Sequence, residues 1–458
     1  MIFIFIFASS IFELGCRSGA REGGRLYLRD ARYFYQLLLC SAGLLYMYSL
    51  YHAYENYLYV VWEYFGFSFS RWSFEEYSFG AVLIFLGAFF LPIGLVSVTS
   101  NILILLYLVA YVPGIVVTLT VKSAAIEDYG AMLVALCVGF CVACIAVRGV
   151  SRRLDLGWFV NWKKVIDCFF VLWFVSVVVL YVAYGGIMTF SGFDDIYTQR
   201  LLSRAESNPL VAYVQSTFIN FVCAFFMAAG LVCKKKLWFL MGALGCVFVY
   251  SISAGKTVIA TPLVFLIVNA VLNCRKISRI WSFCFLAIFS SLVFFSVRNF
   301  ESSESMFVVS TLLVFRTLAI PGLTFSQYFD VFSREGFTWW SHVKGVSLFV
   351  SPPQVFVNDP AWPGLGMVVG ERIYGSMDIN ANANLWSGDG VAAAGAFGVL
   401  CVSFLLAGYL RFLERACHGW NIRFVILSLL PFSLSITNVG LFTCLLSFGG
   451  VIWAMFFG

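Results

Sequence analysis

Long apolar runs alternate with short polar connections along most of the chain. A bilayer crossing needs about 20 mostly apolar residues, and twelve runs approach that length. The runs lie near residues 34–52, 79–98, 102–121, 130–147, 165–184, 210–233, 237–253, 258–273, 280–297, 391–410, 424–437 and 441–457. The pattern predicts an all-α polytopic membrane protein with about 12 transmembrane helices (roughly 11 to 14) in one integral membrane domain, residues 1–458.

Composition and charge support this prediction and orient the helices. Hydrophobic residues make up 61% of the chain and charged residues only 11%, whereas soluble domains have roughly 45–50% and about 25%. With the amino terminus placed in the cytoplasm, most of the 29 Lys and Arg residues fall in cytoplasmic connections. Two longer segments, 185–209 and 298–390, then become loops on the non-cytoplasmic side. No nucleic-acid partner is expected for such a chain.

The apolar run 306–320 inside the second loop is not interpreted as a thirteenth span. At 1.5 Å per residue it reaches only about 22 Å, which is shorter than a bilayer core. Arg316 lies within it, and Pro321 is expected to end it. We therefore predict a helix that lies in the membrane interface or dips back into the protein.

Four basic residues of the outer segments occupy unusual positions. Arg200 and Arg204 are four residues apart and would repel each other on a helix unless they bind an anion, although nearby acids can balance them equally well. Lys256 lies in the tight turn SISAGKT, which lacks the earlier glycine that a nucleotide-binding P-loop needs. Arg316 stands among apolar residues. For Lys256 and Arg316, an anionic ligand is favoured over snorkelling at the membrane surface.

A reaction that deprotonates a hydroxyl also needs a base. Candidates around the second loop are Asp330, His342, Glu371, Asp378 and Asp389, and their spacing does not choose among them. Each can instead cap a helix or pair with a loop arginine. Because the three histidines are dispersed and the chain has no DxD motif, neither a metal nor another cofactor is expected.

The stretch NANANLWSGDG, residues 380–390, places Asn380, Asn382 and Asn384 on alternate positions. Each amide offers two donors and one acceptor, the mixed pattern that sugar hydroxyls require. Trp386 and Tyr374 are candidate platforms for stacking on sugar rings. One asparagine can simply cap the following helix. Three within five residues favour a polar binding surface.

These segments resemble Wzy-type O-antigen and oligosaccharide repeat-unit polymerases, which are bacterial inner-membrane glycosyltransferases. The resemblance covers about residues 190–400 and rests on DIYTQRLLSR, SAGKTVIATP, RTLAIPGLTFSQYF and GERIYGSMDINANANLWSGDGVAAAGAFG, in the order found in the family. It implies a multi-pass protein of the bacterial inner membrane with a glycosyltransferase C-type fold and an active site that faces the periplasm. The first half of the chain resembles the family only in hydropathy.

The implied reaction transfers a growing glycan from undecaprenyl pyrophosphate to the non-reducing end of a new undecaprenyl-pyrophosphate-linked repeat unit. By motif match, phosphate contacts are implied for Arg200 or Arg204, Lys256 and Arg316, and glycan contacts for Asp378, Asn380, Asn382 and Asn384. The predicted catalytic set is Arg316, Lys256, Asp378, Glu371 and His342, of which Glu371 and His342 have weaker motif support. The predicted substrate-binding set further includes Arg298, Tyr328, Arg372, Trp386 and Asp389. Membrane lipids and a chain-length-determining co-polymerase are the other implied partners.

Two other functions stay open. An O-antigen ligase would transfer the finished glycan to a lipid A core by similar chemistry. A transporter or flippase of lipid-linked glycans usually keeps ionisable residues in mid-membrane. Here Asp167 is the only charge inside the assigned spans, and it lies near a cytoplasmic end. The distribution of charge therefore favours the polymerase over the transporter.

Overall fold

The computed structural model describes residues 23–94, 97–150, 162–190, 199, 203, 208–273 and 281–458. Within these ranges the regular structure is helical. Eight helices are long and apolar enough to cross a membrane: Val98–Thr120, Ala125–Ala146, Trp162–Tyr184, Pro209–Val232, Lys236–Ser253, Lys256–Asn273, Glu304–Glu335 and Gly388–Ala416. The predicted class of all-α polytopic membrane protein is confirmed, and the count of about 12 spans stays a prediction.

We number the helices along the chain and count the π-helical turn Tyr54–Leu58 and the helical turn Tyr59–Trp62 as continuations of the first helix. They are α1 (Gly23–Ala53), α2 (Phe74–Phe90), α3 (Val98–Thr120), α4 (Ala125–Ala146), α5 (Trp162–Tyr184), α6 (Pro209–Val232), α7 (Lys236–Ser253), α8 (Lys256–Asn273), α9 (Trp281–Arg298), α10 (Glu304–Glu335), α11 (Gln354–Val357), α12 (Leu365–Tyr374), α13 (Gly388–Ala416), α14 (Ile422–Ser428), α15 (Leu430–Ser435), α16 (Leu441–Leu446) and α17 (Gly450–Phe457). The predicted runs 424–437 and 441–457 are thus pairs of short helices.

Local sequence explains where helices begin and how closely they pack. Ser73 and Glu76 form a capping box at the start of α2, in which each side chain accepts a hydrogen bond from the other residue's backbone N–H. Small residues allow close packing within the bundle. A side chain at Gly139 of α4 would collide with Ser403 of α13, and one at Gly242 of α7 would collide with α6.

Side-chain and backbone hydrogen bonds identify two opposite ends of the bundle. At one end, Arg148 donates to a carbonyl at the end of α2 (2.7 Å), and Thr99 near the start of α3 donates to Glu414 near the end of α13 (2.6 Å). At the other end, the Ser70 N–H, just before α2, donates to the Thr120 carbonyl at the end of α3 (2.9 Å). We call the first the basic end and the second the loop end.

The long helix α10 makes its contacts at the loop end. In order along the helix, the contacting pairs are Ser310 with Ser296, Thr311 with Tyr57, Phe315 with Trp62, Gly322 with Pro113, and Asp330 with Tyr129. Ser310 and Asp330 are about 30 Å apart at 1.5 Å per residue, which is the thickness of a bilayer core. A helix that crossed the membrane would contact opposite ends of its neighbours over that length. These contacts therefore favour the predicted interfacial or re-entrant placement, although α10 has the length of a span.

Pro321 does not end this helix, and that expectation is wrong. The segment Thr311–Ala319 is a π-helix, and the Ile320 N–H donates to the Phe315 carbonyl. Pro321 then stands among the first positions of the following α-helical part. A proline is tolerated there because its missing N–H falls where the hydrogen-bond register changes from π to α.

Candidate functional site

The polar stretch after residue 380 leads into a helix that is broken near its start. In α13, Ala394 and Gly395 have non-helical dihedrals, and Gly395 has φ +56° and ψ −133°, a conformation that only glycine adopts readily. The break frees the carbonyls of Ala392 and Ala393. Both are satisfied, because they accept hydrogen bonds from the backbone N–H groups of Thr338 and Trp339 at 2.9 Å each. Residues 388–393 therefore form a separate short helical piece.

The segment before that piece enters the bundle. The Trp386 indole N–H donates to Ser403 of α13 (3.2 Å). Ser403 lies about 20 Å from the basic end of α13 at 1.5 Å per residue, which is about two thirds of the way across a 30 Å bilayer core. Non-helical backbone at such a depth is tolerated only where it is buried in protein or lines a cavity. Residues 384–387, all of which are buried, therefore form a re-entrant segment, whereas Asn380 and Asn382 before them are exposed.

A second interruption of helical structure meets this segment. Between α15 and α16, residues 436–440 leave the helical conformation. The Asn384 N–H donates to the Asn438 carbonyl (3.1 Å), and the Leu441 N–H donates to the Trp386 carbonyl (3.0 Å). Each interruption thus supplies backbone partners that the other would lack inside a membrane.

Polar side chains gather around these two bonds. We call the group formed by Tyr328, Asn384, Ser387, Asp389 and Asn438 the polar junction. The Tyr328 side chain is buried beside Asn384 and Asp389. The Asp389 carboxylate lies against Gly440, where any side chain would collide with it. Ser387 Oγ, Asp389 Oδ2 and Asn438 Oδ1 are buried and have no hydrogen-bond partner among the residues that the structure describes.

The polar junction contains three residues of the predicted substrate-binding set and two residues that were not predicted. Tyr328, Asn384 and Asp389 belong to the predicted substrate-binding set, and the structure brings them together. Ser387 and Asn438 are absent from that set. The position of Asn438 between the last two apolar runs is the signal that could have found it.

The placement of Asp389 also corrects the account of charge in the spans. Helix α13 begins at Gly388 rather than near residue 391, so it includes Asp389. Gly390, next to Asp389, packs against Gly398, which is about 27 Å from the basic end of α13 at 1.5 Å per residue, so Asp389 lies within the helix near the loop end. Asp167 is therefore not the only charge within the spans, which weakens the argument against a transporter.

Trp386 does not fit the role of a sugar-stacking platform. Its side chain is fully buried, and it packs 6.2 Å from the ring of Phe140. Tyr374 is half-buried, and its hydroxyl accepts a hydrogen bond from Gln327 Nε2 (2.9 Å). Burial raises the pKa of the Tyr374 hydroxyl. Stacking on a free sugar is therefore not supported at Trp386 and is restricted at Tyr374.

The three asparagines have different environments. Asn380 and Asn382 are on the surface, and their amides lie against Gly366 of α12. Asn384 is buried, and its Oδ1 accepts from the Leu385 N–H (2.7 Å). Asp378 is exposed beside them, and its backbone N–H donates to Ser376 Oγ (3.2 Å). Only Asn380, Asn382 and Asp378 keep the surface position that a glycan contact requires.

Arg372 is engaged by three carboxylates of the protein. Its guanidinium donates to Glu335 at 2.8 Å, to Asp359 at 2.7 Å and to Glu371 at 2.7 Å. The hydrogen bond to Glu335 is the main reason why the pKa of Arg372 is raised. This network ties the end of α10 to α12 and to residue 359. It does not fit the predicted substrate-binding role of Arg372, and it occupies the carboxylate of Glu371, which belongs to the predicted catalytic set.

His342 is packed in the segment that follows α10. Its Nδ1 lies 3.0 Å from Thr338 Oγ1, while its Nε2 is buried without a partner among the described residues. Burial lowers the pKa of His342 to about 4, so the ring is neutral at neutral pH. Among the described residues no three His, Cys, Asp or Glu side chains are grouped in a way that could hold a metal ion.

The predicted phosphate-binding cations lie at the loop end. Arg316 is exposed on α10, 5.3 Å from the ring of Phe315. Lys256 is exposed at the start of α8, whose other end is fixed by a hydrogen bond from Arg423 to Asn269 (2.8 Å). Since Arg423 follows the basic end of α13, Lys256 lies at the opposite, loop end.

Of the predicted arginines Arg200, Arg204 and Arg298, the structure describes only Arg298. Arg298 is exposed at the end of α9, and this helix starts at the basic end, where Ser282 accepts from the Gly94 N–H (2.9 Å). Arg298 is therefore also at the loop end. Arg200 and Arg204 lie outside the described residues.

Helix α8, which begins with Lys256, packs on α6, α7 and α14, whereas α10, which carries Arg316, packs on α3, α12 and α13. Convergence of Lys256 and Arg316 into one pocket stays a prediction.

No protein-family model matches the chain, and neither a curated protein nor a solved structure is significantly similar to it.

Proposed function

We propose that the protein is a membrane glycosyltransferase of the O-antigen polymerase type, which uses polyprenyl-pyrophosphate-linked glycans as donor and acceptor. The observation that carries the proposal is the exposed guanidinium of Arg316 on an apolar helix whose contacts lie at the loop end of the bundle. A cation at a membrane interface, where the dielectric constant is lower than in water, binds phosphate more strongly than in water. Lys256 and Arg298 lie at the same end.

The reaction would need these cations at one step in particular. A hydroxyl of the acceptor sugar attacks the anomeric carbon of the donor, and the bond from that carbon to the pyrophosphate oxygen breaks. The bonding electrons leave with the pyrophosphate, and the hydroxyl proton passes to a base. Arg316 and Lys256 would stabilise the negative charge that develops on the leaving group. Asp378, Asn380 and Asn382, at the surface, would contact the glycan.

The proposed setting follows the resemblance of residues 190–400 to Wzy-type polymerases. It comprises about 12 spans in a glycosyltransferase C-type arrangement, with the site facing the periplasm of a bacterial inner membrane. Undecaprenyl pyrophosphate would be the lipid carrier, and a chain-length-determining co-polymerase would be a partner.

The test is a polymerisation assay with purified protein and a defined undecaprenyl-pyrophosphate oligosaccharide. Wild-type protein should give a ladder of products. Arg316→Ala and Lys256→Ala should each reduce the rate on the order of 100-fold or more, because each removes a group that stabilises charge in the transition state. Arg334→Ala is the matched control, since Arg334 is exposed on the same helix and its Nε bonds only to the carbonyl of Asp330 (2.9 Å) among the described residues.

Normal ladders from both Arg316→Ala and Lys256→Ala would refute the proposed role of these cations. A wild-type protein that makes no ladder, but transfers glycan once lipid A core is added, would instead be an O-antigen ligase.

A second function is favoured by one specific observation. The two interrupted segments and the buried carboxylate of Asp389 resemble the discontinuous helices and intramembrane ionisable residues of transporters. A flippase of lipid-linked glycans would move labelled lipid-linked oligosaccharide across the bilayer of liposomes without lengthening it. A product ladder with no movement of label excludes this alternative.

A further inference from the structure

The polar junction contains three oxygen atoms that the fold buries without satisfying. Ser387 Oγ, Asp389 Oδ2 and Asn438 Oδ1 have no hydrogen-bond partner within the described ranges. The side chain of Ser387 is 0% exposed. Buried polar atoms in folded proteins are almost always bonded, because the loss of water is otherwise uncompensated. Three such atoms on two segments that are hydrogen-bonded to each other point to a ligand that binds to oxygen.

The two segments that carry these atoms are held in register. Backbone hydrogen bonds join Asn384 to Asn438 and Leu441 to Trp386, so residues 384–387 and 438–441 lie side by side. Asp389 sits against Gly440, which has no side chain to separate the carboxylate from the second segment. The carboxylate, the hydroxyl and the amide oxygen therefore belong to one compact region of the bundle.

The charge of this region limits the ligand. Asp389 makes no ion pair with any Lys or Arg of the described chain. The other titratable groups beside it are Tyr328 and Cys444, which are neutral when protonated. The carboxylate accepts a hydrogen bond from the Phe442 backbone N–H and otherwise has neutral neighbours, so it suits a hard cation with a single charge. A divalent ion would leave a net positive charge in a region of low dielectric constant.

We propose that the polar junction binds one sodium ion, with Asp389, Ser387 and Asn438 as side-chain ligands. The ion neutralises the buried carboxylate and connects the re-entrant segment to the turn between α15 and α16. The proposal does not depend on the proposed glycosyltransferase activity, because the contacts proposed for that activity are assigned to other residues and do not use the predicted substrate-binding role of Asp389.

The test measures thermal unfolding of the purified full-length protein in detergent, with sodium, potassium or choline chloride at equal ionic strength. Sodium should raise the unfolding temperature in a saturable way, since a ligand that binds only the folded state stabilises it. Asp389→Asn should weaken the apparent sodium affinity on the order of 100-fold, because it removes the ligand charge. Ser387→Ala should weaken it about 10-fold. Binding of radioactive sodium should show one site per chain.

Asp378→Asn is the matched control, since Asp378 is an exposed carboxylate of the preceding loop and should leave the sodium response unchanged. If Asp389→Asn does not fold, the Ser387→Ala variant and the stoichiometry of sodium binding to wild-type protein still test the proposal. Equal unfolding temperatures in sodium and choline would overturn it. An equal response to potassium, or an effect of pH without any effect of sodium, would overturn the sodium assignment as well.

Discussion

At the scale of single residues, side chains of the same type have different environments in this protein because the backbone places them differently. Asn380 is exposed, while Asn384, four residues later, is buried in the polar junction. Arg316 is exposed and has no ion pair in the described part of the chain, while Arg372 binds three carboxylates. Residue type predicts which chemistry is available, but only burial and partners decide whether a side chain is free to use it.

His342 gives a residue-scale prediction for pH dependence. Its pKa is about 4 in the folded protein and about 6.5 in an unfolded chain, because burial disfavours the charged ring. Below about pH 6.5 the unfolded state takes up a proton that the folded state does not. The contribution of His342 to wild-type stability should therefore fall between about pH 6.5 and pH 4, by up to about 1.4 kcal/mol per pH unit, and should be constant above that range.

The measurement is the free energy of unfolding of wild-type protein relative to His342→Gln at several pH values. Taking the difference removes the contribution of all other titrating groups. Glutamine retains a polar side chain and does not titrate. A difference that is independent of pH between 7 and 4 would show that His342 is protonated equally in both states.

At the scale of secondary-structure elements, the interrupted helices form hydrogen bonds with one another in the interior of the protein. The break in α13 exposes two carbonyls that bind residues 338 and 339, and the turn at 436–440 pairs with the re-entrant segment. Apolar periodicity reports the length and face of a helix, but it does not show that a helix is broken. The sequence therefore predicts runs near 391–410, 424–437 and 441–457, but not their breaks.

Gly395 provides the prediction for this scale. Gly395→Ala should destabilise the protein by about 1–3 kcal/mol, because its φ of +56° with ψ of −133° is strained for any residue with a Cβ. The added methyl group would also lie 3.0 Å from the ring of Phe337. Gly408→Ala on the same helix is the control. A Cβ at Gly408 would meet nothing within 4 Å in the described part of the chain, so the change should be neutral or slightly stabilising.

Thermal or denaturant unfolding of both variants in detergent measures the difference. Equal stability of Gly395→Ala and Gly408→Ala would mean that the break in α13 does not depend on glycine.

At the scale of the whole molecule, the sequence predicts the class of fold and the sidedness of its charges better than it predicts the site. The grouping of Arg148 and Glu414 at one end follows from the alternation of spans and from the bias of basic residues. The polar junction depends on contacts between residues 328, 384–389 and 438, which are far apart in the chain. No local pattern encodes such contacts, so Asp389 is predicted for its charge and Asn438 is missed.

The placement of α10 is the feature of the whole molecule that most needs a direct test, because the position of Arg316 depends on it. If α10 lies at the loop end, its two ends face the same side of the membrane.

Ser302 and Ser333 are exposed at those ends, and His418 is exposed at the basic end. A membrane-impermeant maleimide should therefore label Ser302→Cys and Ser333→Cys from one face and His418→Cys only from the other. Exposed Cys168 and Cys233 should first be replaced by serine to lower the background. Labelling of Ser302→Cys and Ser333→Cys from opposite faces would show that α10 crosses the membrane, and Arg316 would then lie within a span instead of at the surface where a pyrophosphate could reach it.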